Sequence, residues 1–245
     1  PSNAAKWEAL RDGWLHKLRT EVLDEAPGRP GPVERVGSHV GDGIELSRYR
    51  LFADEVFPLD LIVIRPRTAA VKSAELNLLT QDDWERLVPL WRTGAPDRVA
   101  GTAPAGIEAP GWQSLCDGIV ATQSLRAWFA PRGIGGTEWS RAPRFRTHSQ
   151  RRFSLLGKTV DEVRTYDALQ ALRTVRGLAG AVGEAAPPLT LRGAGEAAGW
   201  ALFASILEPS VQRLELFEPA DSLDESPIYH FARRYLDPPE ALGLA

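Results

Sequence analysis

Apolar residues near the start of the chain recur at spacings of three and four. Trp7, Leu10, Trp14, Leu18 and Val22 fall on one face of a helix expected over residues 5–25. Pro27, Gly28, Pro30, Gly31 and Pro32 then break the chain. Beyond the break the period shortens. Ile44, Leu46, Tyr49 and Leu51 lie in a strand-like run introduced by a Gly41-Asp42-Gly43 turn. Residues 59–64 form a second run, stopped by Arg65-Pro66, and residues 76–79 a third, followed by a helix around 84–91. Residues 94–111 are rich in Gly, Ala and Pro and read as a loop able to act as a flap.

The second half alternates more clearly. A strand over 125–130 ends in Pro131-Arg132-Gly133-Ile134-Gly135-Gly136. Thr159 and Glu162 have the spacing of a capping box, and the helix behind them offers Val163, Tyr166, Leu169, Leu172 and Val175 to a core. A strand over 189–191, a helix over 196–207, a strand over 214–217 and a helix over 227–236 complete the pattern. This alternation predicts a three-layer α/β/α sandwich with a mostly parallel sheet and helices on both faces. Residues 1–32 read as an N-terminal helix and linker, and 33–245 as the sandwich domain.

Composition fits one such domain. The 245 residues are 43% hydrophobic and 25% charged, which is enough to build a sizeable core. A formal charge of -3 argues against a nucleic-acid partner. The single cysteine, Cys116, excludes an internal disulfide and any multi-cysteine metal site. No run of about 18 apolar residues is present, so no membrane span is expected. Pro1-Ser2-Asn3-Ala4 lacks the basic and apolar segments of a signal peptide. A secreted or periplasmic parent that has lost its leader stays open.

The segment richest in chemistry is 189–199, Leu-Thr-Leu-Arg-Gly-Ala-Gly-Glu-Ala-Ala-Gly: a strand, a tight turn and a helix. It resembles the Gly-x-Ser-x-Gly nucleophile elbow of the α/β-hydrolases. Residues 127–135 resemble the end of that family's fourth strand, usually Asp-x-Arg-Gly-x-Gly. The helix entry at 155–159 resembles the one leading to the nucleophile strand, and 237–242 the run before strand seven. Over residues 33–245 the order of pieces is similar to the acetyl-xylan-esterase and prolyl-oligopeptidase types. The resemblance implies a serine hydrolase, and the departures bear on that directly. Gly195 takes the serine position, followed by Glu196. Leu78-Leu79-Thr80-Gln81-Asp82 stands where the family carries His-Gly beside the oxyanion hole. The acid and histidine follow strands seven and eight in the family, and the sequence ends at Ala245 before either. Asp221 and His230 are the candidates within it. Two explanations fit: a degenerate domain in a larger esterase- or peptidase-like protein, or an ester hydrolase whose missing groups come from elsewhere.

The same glycines allow a third reading. Gly193, Gly195 and Ala198 fit a dinucleotide fingerprint, with Glu218 placed to meet a ribose hydroxyl. Glu196 is more simply a first-turn acid favoured by the helix dipole. His16, His39, His148 and His230 have no zinc-site spacing, and the sequence calls for no cofactor. Arg146, Arg151 and Arg152 lie in a basic stretch over 144–153 that suits an anionic ligand or a docking face for another domain. Arg132 and Trp139 are further candidates for holding a carbohydrate or small ester ligand; for the tryptophan, core packing is the alternative.

Overall fold

A computed structural model describes residues 4–23, 31–52, 57–94, 111–139, 142–180, 186–221, 228–230, 232–236 and 238–245. Seven strands form one mixed sheet in the order β1-β2-β3-β5-β4-β6-β7. They are β1 (Val33–Gly41), β2 (Ile44–Phe52), β3 (Pro58–Pro66), β4 (Ser73–Leu78), β5 (Ser124–Phe129), β6 (Leu189–Ala194) and β7 (Val211–Phe217). The helices are α1 (Ala4–Lys17), α2 (Gln81–Gly94), α3 (Trp112–Thr122), α4 (Pro143–Leu155), α5 (Val160–Gly180), α6 (Glu196–Leu207) and α7 (Pro238–Leu242).

The two halves of the sheet follow from how far each strand lies from its partner in sequence. β1, β2 and β3 are consecutive and antiparallel. The β1–β2 connection is a two-residue turn in which Asp42 and Gly43 both have positive φ, 51° and 76°. That is the geometry an Asp-Gly hairpin favours. β3 then pairs antiparallel with β5, whereas β5, β4, β6 and β7 run parallel. The sheet is therefore parallel in one half and antiparallel in the other. The parallel half needs helical crossovers, which α2 to α6 supply.

Alternation along the strands assigns the faces. Leu76 and Leu78 of β4, Leu189 and Leu191 of β6, and Leu125, Ala127 and Phe129 of β5 are buried on the face covered by α5 and α6. The opposite face carries Trp128, whose ring lies 5.8 Å from that of Trp91 on α2. Helices thus cover both faces. Beyond α2 and α3, this second face is polar. Arg192 bridges Glu75 on β4 and Glu215 on β7, and Arg213 joins Glu215 from β7 itself.

A helix forms where the periodicity predicts, but α1 itself buries no residue and Leu10 is exposed; the apolar face reaches the core only in the π-helical turn over Leu18–Val22, through Leu18, Val22 and Leu23. One expectation needs correcting. No continuous helix spans 227–236: the described residues there hold only a 3-10 turn over Ala232–Arg234, and the helix begins later, at Pro238. Proline suits a first helical turn, so the Pro238-Pro239 pair sets where that later helix starts. Most of the 94–111 loop, residues 95–110, lies outside the described residues.

Candidate functional site

Chain direction locates the site before any side chain does. From β4 the chain crosses by α2 and α3 to β5 on one side, then by α4 and α5 to β6 on the other. The carboxyl ends of β4 and β6 therefore flank a topological switch point, where open α/β sheets bind ligands.

At the β6 end the chain turns sharply into α6. Gly195 sits at the apex with φ 53° and ψ -124°, a conformation that residues with a side chain rarely adopt. Its N–H donates to the Phe217 carbonyl at 2.9 Å, and its own carbonyl accepts from Ala198 at 3.1 Å. The neighbouring glycine is required for a different reason. A Cβ on Gly193 would stand 2.3 Å from the Ala197 carbonyl oxygen, so only glycine lets strand and helix cross this closely. A Cβ on Gly195 would meet no atom of the described residues within 4 Å, so among them the space above the apex is open.

Around that space stand groups from three elements. Glu196 opens α6, where its charge suits the helix dipole, and faces Arg164 of α5 at 3.7 Å. The Arg164 guanidinium lies 4.8 Å from the Trp200 ring and 5.9 Å from Trp139, and its Nε donates to the Arg132 carbonyl at 3.2 Å. Trp139 rests on Gly133, where a Cβ would come within 2.8 Å of its ring, and contacts Phe153 of α4 at 5.7 Å. Arg132 is committed elsewhere. Its backbone N–H and its guanidinium both donate to Asp167, which is wholly buried in α5. From the β4 end, Gln81 accepts the Gly135 N–H at 2.8 Å and donates to Glu138, tying the two strand ends together. Thr80 and Asp83 cap α2 reciprocally.

Solved structures similar to this chain in fold include two esterases. One is a Bacteroides fragilis protein assigned as an acetyl xylan esterase: TM-score 0.63, 14% identity, covering 86% of this chain and 52% of that one. The other is the glucuronoyl esterase from Solibacter usitatus: TM-score 0.54, 16% identity, covering 87% and 59%. The chain has the α/β-hydrolase fold. At these identities the likeness is one of fold, and the chain spans little more than half the length of the structures it matches. No protein-family model matches the hydrolase-fold chain, and no curated protein is significantly similar to it.

In the α/β-hydrolase fold the strand–turn–helix apex is the nucleophile's place, and here that apex is Gly195. The structure brings together Gly195, Glu196 and Trp139 of the sequence candidates, with Arg132 behind them. Arg164, the arginine that faces the apex, was not legible as a site residue because it lies inside a helix whose apolar spacing dominates. Asp161 was missed in the same way. It accepts from Trp200 Nε1 at 2.8 Å and from the Ile228 N–H at 2.8 Å. Asp221 is exposed and makes no hydrogen bond or ion pair among the described residues. His230 is half-buried beside Tyr229, whose hydroxyl shares a 2.6 Å hydrogen bond with Thr165. Burial pushes the Tyr229 phenol well above its usual range. Arg151 and Arg152 are exposed on α4, and the side chain of Arg146 lies outside the described residues.

Other nucleophiles and ligands stand apart from the apex. Cys116 is fully buried in α3, and burial, then Asp42, then Asp117 raise its thiol to about 11. Among the described residues no group of three or more His, Cys, Asp or Glu could hold a metal ion, and no helix is long and apolar enough to cross a membrane.

Proposed function

We propose that this domain binds rather than hydrolyses, serving as a ligand-holding or scaffolding unit within a larger esterase- or peptidase-like protein. Gly195 carries the proposal. It occupies the strained apex with the backbone geometry of a nucleophile elbow but brings no hydroxyl, thiol or carboxylate to attack a carbonyl. Arg164, Glu196 and Trp139 beside the apex supply a cation, an anion and an aromatic face, a set suited to a polar, carboxylate-bearing or acylated carbohydrate. The esterases with the same fold act on ligands of that class by name.

The test uses the purified 245-residue chain with p-nitrophenyl acetate and a fluorophosphonate probe. We expect no turnover above buffer and no covalent adduct by mass spectrometry. One probe per chain, lost on mutation of a single hydroxyl residue, overturns the proposal. A second reading rests on the open space above Gly195: an ester hydrolase whose nucleophile enters from another domain. It requires turnover that appears only with that domain present.

A further inference from the structure

We infer that the site beside the Gly195 apex takes an organic carboxylate, which replaces Glu196 as the anion facing Arg164. This inference rests on the ligand-holding half of the reading above, not on the absence of hydrolysis. It narrows the ligand from a polar or acylated sugar to one that carries a negative charge.

Two arginines meet in this region, and their carboxylates hold them differently. Arg132 donates to Asp167 through a guanidinium fork, from Nη2 at 2.7 Å and from Nε at 2.9 Å, and the Asp167 side chain is wholly buried. Arg164 lies almost as deep, with its side chain 13% exposed. Its Nε donates to the Arg132 carbonyl at 3.2 Å, and its guanidinium lies 4.8 Å from the Trp200 ring. The cation is thus fixed in place, and a guanidinium keeps its proton in proteins. Glu196 faces it only at long range. Its Oε2 stands 3.7 Å from Arg164 Nη1, too far for a hydrogen bond, and its side chain is 42% exposed. A long pair wetted on one side contributes little.

The consequence is competition between carboxylates. One carried by a ligand can close on Arg164 to the distances that Asp167 keeps to Arg132, where charge-assisted hydrogen bonds are strong. Glu196 then turns towards water, which its exposure permits. A hydroxyl or an ester brings no charge and leaves the Arg164–Glu196 pair as it stands. Glu196 therefore selects against neutral ligands. The half-buried ring of Trp139, 5.9 Å from the same guanidinium, offers a flat apolar face to the body of the ligand.

The test is isothermal titration calorimetry of the 245-residue chain with D-galacturonate and D-galactose, which differ at the carboxylate. We expect saturable binding of galacturonate, with galactose weaker by about tenfold or more. Glu196→Gln removes the competing anion at a partly exposed position, and should tighten galacturonate by about three- to tenfold while leaving galactose unchanged. Arg164→Gln should abolish galacturonate binding, with circular dichroism to check its fold. No galacturonate binding up to about 10 mM, galactose bound as tightly, galacturonate affinity unchanged or weakened in Glu196→Gln, or binding kept in a folded Arg164→Gln overturns the inference. Turnover of p-nitrophenyl acetate would instead overturn the non-hydrolytic reading and leave these affinities as they are.

Discussion

Two glycines two residues apart do different work. Gly193 is needed for space: a Cβ there would collide with the Ala197 carbonyl. Gly195 is needed for conformation: its φ of 53° strains any side-chain-bearing residue, yet nothing crowds its Cβ. We therefore expect Gly193→Ala to separate β6 from α6 and cost at least about 1–3 kcal/mol, as overpacking does. Gly195→Ser should cost a similar ~1–3 kcal/mol from backbone strain alone, without disturbing the strand–helix packing. Urea titration measures both costs. The amide spectrum of β6 and α6 separates them, because only Gly193→Ala should shift resonances along the α6 face. If Gly195→Ser perturbs α6 as broadly, the open apex is misdescribed. The sequence made both glycines visible as a turn. It could not show which was steric and which conformational, since that depends on where Ala197 falls in three dimensions.

At the scale of elements, α5 anchors the site. Its start was legible, because Thr159 and Glu162 do cap each other, the Glu162 N–H donating to Thr159 Oγ1 at 3.0 Å and the Thr159 N–H to Glu162 Oε2 at 3.2 Å. Its apolar face was legible too: Val163, Tyr166, Leu169, Leu172 and Val175 are all buried. The burial of its other side was not. Thr165, Asp167 and Gln170 occupy positions that a one-faced helix would give to water, and they are buried as well. Asp167 is where this matters most, because it holds Arg132 at the end of β5. Asp167→Ala removes the buried carboxylate that receives the Arg132 guanidinium and should cost about 3–5 kcal/mol, whereas Arg132→Met with Asp167→Leu should be near neutral or stabilising. Denaturant midpoints of the single and double variants decide this. A mild single variant would mean that Arg132 is satisfied without Asp167. The late helix was misplaced because apolar periodicity does not register that Pro238 and Pro239 favour a helix start at their own position.

For the whole molecule, alternation of strand and helix correctly predicted three layers, but it could not reveal that half of the sheet is antiparallel. Strand direction depends on the connection: β1, β2 and β3 follow one another through short links, and direction reverses at each. Only after β4 do helices intervene and permit parallel neighbours. The polar ladder of Glu75, Arg192, Glu215 and Arg213 was equally hidden, because it joins three strands far apart in sequence.

The divided sheet has a consequence for the order of assembly. Hairpins close over short loops, while β4, β6 and β7 must wait for long intervening segments to be ordered, and closure over longer separations is slower. The β1–β2–β3 meander should therefore be the first part of the chain to gain persistent structure, with the apex at Gly195 among the last. Pulsed hydrogen exchange during refolding reads this directly: amides of β2 and β3 should be protected before those of β6. Simultaneous protection of both halves would show that the meander has no independent existence. On this order a folding defect late in the chain would spare the meander and remove the turn at Gly195.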